Sequence, residues 1–134
     1  MSLEIPRSNF YFIESNFQDI IAEIREGVGG LVSDSRNTRK TIVFRDMSKM
    51  YCHEFLDRGK QYIELYWYDW YDNNKQLIMK FHAHYHEDGT PAKITQFDPY
   101  HIHVYSDTRM TNEKFRELIL VLEFIRLRQA SIQQ

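Results

Sequence analysis

The sequence predicts an α+β fold, in which an antiparallel meander sheet of about five or six strands carries two helices packed on one face. Three observations support this prediction. Apolar and polar residues alternate in short segments that are separated by turn-forming residues at near-regular intervals. Aromatic residues make up 15% of the chain, and their flat side chains pack well across neighbouring strands. Two other segments repeat apolar residues at helical spacing. A chain of 134 residues is then expected to form a single domain, 1–134.

The N-terminal part is predicted to contain the first helix, at about 16–27. Ser15 and Gln18 have the spacing of a capping box, and apolar residues follow at helical intervals. Residues 9–13 are short and apolar, which favours an edge strand or an extended lead-in. Residues 29–40 are rich in glycine and then polar and basic, which predicts a mobile loop.

Six short segments are candidate strands, since each combines β-branched or aromatic residues with flanking turn residues. They are 41–46, 50–56, 61–71, 76–86, 92–97 and 101–105. The second helix is predicted at about 112–129, where apolar residues cover an unusually wide surface. Such a helix either lies deep in the core or contacts a partner.

Histidines occupy alternate positions in two of these strands. Residues 77, 79, 81, 83 and 85 are apolar or aromatic and are predicted to point inward, so the even positions point outward. The same alternation continues in 101–105. The outward residues therefore include five of the six histidines: His82, His84, His86, His101 and His103.

A three-residue loop at 73–75 is predicted to join the strands at 61–71 and 76–86. This loop length pairs Tyr66 with His82 and Glu64 with His84, and it places Tyr62 and Tyr68 on the same outward side. A loop shorter by one residue would place histidines opposite inward apolar residues. We therefore expect tyrosines and one carboxylate beside the imidazoles.

Composition limits the function classes. The formal charge of −2 disfavours non-specific nucleic-acid binding, although a local basic patch remains compatible with it. The single cysteine, Cys52, excludes an internal disulfide and favours a reducing compartment. No signal-peptide pattern and no apolar segment of membrane-spanning length occurs, so a cytoplasmic protein is predicted. No cofactor is predicted, since a phosphate-binding glycine motif is missing.

The leading functional hypothesis is cleavage of RNA without a metal ion. Pairs of imidazoles can remove and return protons near neutral pH, a cation can offset phosphate charge, and tyrosines can stack on bases. The candidate catalytic residues are His82, His84, His101, His103 and Lys80. The candidate binding residues are Tyr62, Glu64, Tyr66, Tyr68, His86, Tyr105 and Arg109.

Three alternatives remain open. The helix at about 112–129 could bind a protein partner or a second copy of the chain, with no catalysis at all. The alternating histidines could instead hold a metal ion, in which case His82, His84, His101 and His103 are the candidate ligands. Finally, histidine and tyrosine on an exposed sheet face can have a purely structural role, since both residues suit a strand and can hydrogen-bond one another. Neither a membrane nor a cofactor enters any of these interpretations.

The segments 81–89 (FHAHYHEDG) and 97–104 (FDPYHIHV), followed by a helix, resemble the TumE-type toxins of toxin–antitoxin pairs. That family has an aromatic and histidine-rich strand, an Asp-Gly turn, a later strand entering an Asp-containing turn, and a His-x-His segment before a terminal helix. The resemblance covers roughly the C-terminal half. It implies a small cytoplasmic protein that has a cognate partner and acts on RNA.

Overall fold

The computed structural model describes residues 3–104 and 108–132. Its elements follow in chain order. They are β1 (Ile5–Pro6), α1 (Phe10–Asn16), β2 (Ile21–Glu26), β3 (Asn37–Phe44), β4 (Lys49–Leu56), β5 (Tyr62–Tyr71), β6 (Leu77–Ala83), α2 (Ala92–Thr95), β7 (Tyr100–Val104), β8 (Thr108–Thr111) and α3 (Leu118–Ile132). Strands β2 to β8 lie side by side in sequence order, and β1 pairs with β5; all pairs are antiparallel. The antiparallel α+β architecture is confirmed, with eight strands in the described residues instead of five or six.

The first helix lies earlier than predicted. The Asn9 side chain accepts a hydrogen bond from the backbone N–H of Phe12, so α1 begins inside the segment predicted as an edge strand. The predicted helix at 16–27 is wrong, because 21–26 form β2 and pair with β3. The apolar spacing in that segment fits a helix locally, but the backbone groups are satisfied by the neighbouring strand.

Three other boundaries differ from the sequence prediction. The predicted mobile loop at 29–40 is partly β3, because 37–40 already pair with β4. The predicted strand at 92–97 contains the short helix α2. The C-terminal helix starts at Leu118, not at Asn112. The Asn112 side chain is buried and bonds to the backbone N–H and carbonyl of Phe115, which forms a turn ahead of the helix.

The predicted three-residue loop is present, but the predicted register is not. Asp72 donates its backbone N–H to the carbonyl of Gln76, which closes the loop at 73–75. Leu77 then pairs with Tyr71, whereas Met79 pairs with Trp70, so one extra residue lies in β6 between these pairs. A one-residue shift moves every following side chain to the other face. As a result, His82 lies opposite Trp67 and not Tyr66.

The helices α1 and α3 cover one face of the sheet, and with α2 the described residues contain three helices instead of the predicted two. Side chains from α1 and α3 join a single buried cluster with the strands, and Phe124 of α3 contacts the ring of Phe81. Arg126, in the middle of α3, links this helix to the C-terminal end of α1, because its guanidinium donates to the carbonyl of Asn16 and to the carboxylate of Asp19. One cross-strand row on this covered face consists of Cys52, Tyr68, Phe81 and Ile102, all buried.

No helix among the described residues is both long enough and apolar enough to cross a membrane. Helix α3 buries Leu118, Val121, Leu122 and Ile125, but it also leaves large aliphatic side chains in solvent. The exposed ones are Ile119, Leu120 and Leu127.

Candidate functional site

The face of the sheet opposite the helices carries all six histidines, and we call it the histidine face. One cross-strand row on it runs through β4 to β7 as His53, Trp67, His82 and His101. The row two residues along the strands contains Tyr51, Asp69, Lys80, His103 and Arg109. The alternation of β6 and β7 therefore places His82, His101 and His103 on one side of the sheet, as predicted from the sequence. The rings of His84 and His86, which follow β6, lie against them.

Five of these histidines, 82, 84, 86, 101 and 103, form the histidine cluster. The ring centroids of His82 and His101 lie 5.4 Å apart, and those of His84 and His86 lie 4.8 Å apart. His101 also lies 4.8 Å from His84 and 4.9 Å from His103. His101 is therefore at the centre of the cluster, within reach of the other four rings.

Three of the rings are held by an acceptor on one nitrogen. His82 donates from Nε2 to the Asp69 carboxylate at 2.7 Å, and His86 donates from Nδ1 to the Asp98 carboxylate at 2.7 Å. His101 donates from Nδ1 to a backbone carbonyl, that of Pro99, at 3.0 Å. Each bond fixes the tautomer of the neutral ring and leaves the other nitrogen as an acceptor.

Burial and mutual repulsion keep the centre of the cluster uncharged. His101 is 2% exposed, and burial lowers its pKa to about 3, with further lowering by His82 and His84. Burial also lowers the pKa of His84, and its neighbours His82 and His86 act in the same direction. The Nε2 atom of His101 is buried and accepts no hydrogen bond from the described residues. His84 and His101, at the centre of the cluster, therefore favour the neutral form, in which one ring nitrogen has an unshared electron pair.

Two of the predicted cations lie beside the cluster. Lys80 pairs across the sheet with both Asp69 and His103, and Arg109 of β8 pairs with His103 on its other side. One guanidinium nitrogen of Arg109 is buried and has no hydrogen-bond partner among the described residues. Positive charge thus lies next to the imidazoles, where an anion could bind.

The predicted tyrosine and glutamate contacts are not formed. Tyr66 and Tyr68 are fully buried under the helices, and the Tyr68 hydroxyl donates to the buried carboxylate of Glu54. Tyr62 lies at the start of β5, outside the stretch that pairs with β6. The extra residue in β6 explains why the contacts predicted for Tyr66 and Tyr68 are wrong. It shifts the pairing by one residue, so these two side chains point to the face opposite the histidines.

Glu64 does not face His84. It is the extra residue of a second bulge in β5, between the positions that pair with Phe55 and Leu56. Its carboxylate lies 3.8 Å from the guanidinium of Arg36. The remaining predicted contact residue, Tyr105, lies outside the described residues.

Sequence reasoning missed four residues of this face. The ring of His53 lies tilted against that of Trp67 with centroids 5.0 Å apart, and the Trp67 ring lies 5.6 Å from that of His84. Asp69 and Asp98 orient histidines, as described above. The alternation of β4 points to the outward position of His53, but the three-dimensional pairing of β5 was needed to place Trp67 and Asp69 beside it.

Two overlapping sets of three histidines have the spacing of metal ligands. The potential ligand atoms of His82, His101 and His103 lie within 4.8 Å of one another, and so do those of His84, His86 and His101. The described residues therefore offer nitrogen donors, whose preference is for zinc and similar transition-metal ions.

Comparison with known proteins gives one match. A family model described as Toxin TumE matches residues 29–129, which extends the resemblance seen in 81–104 over most of the chain. No curated protein and no solved structure matches the chain significantly. The matched segment includes β3 to β8, the histidine cluster and most of α3. The chain belongs to the TumE toxin family.

Proposed function

We propose that this protein is a cytoplasmic toxin that cleaves RNA at its histidine face. Membership of a toxin family implies a protein partner, the antitoxin. The observation that supports an RNA target is the pair of neighbouring cross-strand rows, which bring the histidine cluster, Lys80 and Arg109 to one side of the sheet. Proton-transfer groups and cations side by side are what phosphodiester cleavage requires.

The proposed reaction needs no metal ion. The 2′-hydroxyl of RNA loses its proton to one imidazole, and the 2′-oxygen bonds to the adjacent phosphorus. A second, protonated imidazole gives its proton to the 5′-oxygen as that oxygen leaves, and a 2′,3′-cyclic phosphate remains. Lys80 and Arg109 offset the charge that develops on the phosphoryl oxygens. His82 is the foremost candidate for one proton-transfer group, because Asp69 holds its ring.

The same face offers aromatic surfaces for bases. The rings of Trp67 and His53 contact each other next to the cluster, and the rings of Tyr51 and Tyr71 lie 5.8 Å apart further along the sheet. A cavity of about 210 Å³ borders the tyrosine pair, with Lys49 among its lining residues. Aromatic rings flanked by cations bind single-stranded RNA with little sequence preference.

Induced expression tests the toxin and its site together. Wild-type protein is expected to stop growth of a host that lacks the antitoxin, and His84→Ala is expected to restore growth. Tyr85→Ala is a matched control, since Tyr85 is the next residue in the chain and its side chain is 66% exposed. Purified wild type should cleave single-stranded RNA in excess chelator. Growth arrest by His84→Ala at equal protein level, or no cleavage by the wild type, contradicts the proposal.

Helix α3 is the proposed contact for the antitoxin. Leu120 and Leu127 are 41% and 69% exposed and lie seven residues apart, on one side of the helix. Replacing both by serine should abolish co-purification with the antitoxin, whereas Ala130→Ser should leave it intact. The size of the free protein in solution distinguishes antitoxin binding from self-association. If the free protein is a dimer and the double replacement makes it a monomer, this surface of α3 binds a second copy of the chain.

A further inference from the structure

We infer that the histidine cluster binds one zinc-type divalent ion through His84, His86 and His101. The potential ligand atoms of these three residues lie within 4.8 Å of one another. His84 and His86 are alternate residues in the segment that follows β6, and His101 comes from β7, so two separate stretches of chain supply the donors. The three rings contact one another, and the helices α1 and α3 pack on the other face of the sheet.

The ring spacing suits a tetrahedral ion. Zinc–nitrogen bonds of about 2.0–2.1 Å place two ligand nitrogens about 3.4 Å apart. The ring centroid of His84 lies 4.8 Å from that of His86 and 4.8 Å from that of His101. The centroids of His86 and His101 lie 5.6 Å apart. The rings are already as close as ligands of one ion, so small rotations of the side chains suffice to direct the nitrogens at a common point.

The surroundings of the rings are those of metal ligands. The Nδ1–H of His86 is held by the Asp98 carboxylate and the Nδ1–H of His101 by the Pro99 carbonyl, which leaves Nε2 free on both rings. Ligating histidines typically make such a bond from their second nitrogen. The Nε2 atom of His101 is buried without any hydrogen-bond partner in the described residues. A buried acceptor of this kind is costly unless something binds it.

One ion per chain follows from the position of His101. The alternative set, His82, His101 and His103, shares this residue, and its Nε2 atom has a single lone pair. His82 already donates from Nε2 to Asp69, so it could ligate only through Nδ1, the nitrogen closer to its own backbone. The set that includes His86 is therefore preferred. Nitrogen ligands select zinc, nickel or cobalt over magnesium and calcium.

The site overlaps the proposed ribonuclease site, but the inference does not depend on RNA cleavage. An ion would use the same lone pairs that accept protons, so it would compete with the reaction. Binding is measured on the full-length protein without RNA. A failure to bind metal therefore leaves the ribonuclease proposal intact, and a failure to cleave RNA leaves the metal site intact.

Metal-free protein is to be titrated with zinc by calorimetry and with cobalt(II) by visible absorption. One ion per chain is expected, with the absorption of a tetrahedral cobalt site and no competition from excess magnesium. His86→Gln should weaken binding by more than about 100-fold, and Asp98→Asn by about 10–100-fold, because Asp98 only orients a ligand. His53→Gln is the matched control on the same face and should bind like the wild type.

The folding of each variant is checked by its thermal transition without metal. Zinc should raise the transition temperature of wild type and His53→Gln, but not of His86→Gln. Wild-type protein that takes up no zinc, or a loss for His53→Gln equal to that for His86→Gln, overturns the site. Loss of binding in His103→Gln together with wild-type binding in His86→Gln would overturn this choice of ligands.

Discussion

The two faces of the sheet are built from neighbouring residues of the same strands, yet they differ completely in chemistry. The covered face has the row Cys52, Tyr68, Phe81 and Ile102, which is buried under α1 and α3. The next row of the sheet, one residue away on each strand, belongs to the histidine face and consists of His53, Trp67, His82 and His101. Both rows cross the same four antiparallel strands, and they differ in the side chains they carry and in what packs against them.

This comparison separates stability from function. Side chains of the covered face lose solvent contact on folding, and their removal leaves cavities. Most side chains of the histidine face keep a polar partner or partial exposure, such as the His82 imidazole with 12% of its surface in solvent. His101 shares features of both faces, since it is buried but polar. Substitutions in adjacent positions should therefore have opposite consequences.

The largest effect is expected from a cavity on the covered face. Phe81→Ala should lower the free energy of unfolding by about 3–5 kcal/mol, because a fully buried ring contacting α3 is lost. His82→Ala, one residue away, should lower it by only about 1 kcal/mol. Urea unfolding measures both. Equal losses would mean that the two faces are packed alike.

For RNA cleavage, the large effect is expected on the histidine face. His82→Ala should reduce the cleavage rate of a single-stranded RNA at least about 100-fold, since a proton-transfer group contributes that much or more. Met110→Ala, on the other side of β8 next to Arg109, is the control and should cleave at the wild-type rate. A His82→Ala protein with wild-type activity would remove this residue from the proposed mechanism.

A smaller effect is expected for RNA binding. Trp67→Ala should weaken binding of single-stranded RNA by about 1–3 kcal/mol, because a stacking surface between His53 and His84 is lost. Trp67→Phe keeps an aromatic ring and should retain most of the affinity. Fluorescence anisotropy with a non-cleavable RNA measures the difference. Equal affinity of the alanine variant and the wild type would place the RNA elsewhere.

The smallest effect concerns a charge beneath the covered face. The Glu54 carboxylate is buried and accepts hydrogen bonds from Ser8 and Tyr68, and burial raises its pKa. A carboxyl with a raised pKa contributes stability below its unfolded pKa, and this is lost as pH rises through the folded pKa. Relative to the wild type, Glu54→Gln should therefore gain stability as pH rises from about 4 towards neutral. Urea unfolding across this range measures it, and a constant difference would contradict the burial of a charge.

The sequence by itself determined the chemistry of one face. Alternation in 77–83 and 101–104 is enough to place the histidines together on one side, since side chains two residues apart on a strand share a face. The antiparallel meander also followed from the regular spacing of short segments and turns. The resemblance in 81–104 correctly indicated the toxin family.

Only the tertiary structure decided which residues lie across from those histidines. The extra residue in β6 places Trp67 and Asp69 beside the cluster and buries Tyr66 and Tyr68. No local pattern marks this bulge, because its position depends on how β5, β6 and the helices fit together. The wrong prediction for β2 has the same cause. The spacing of its apolar residues is that of a helix, but it forms a strand because β3 supplies its hydrogen-bond partners. Local sequence fixes what each strand can present, whereas long-range pairing and packing fix the register and the neighbours of each residue.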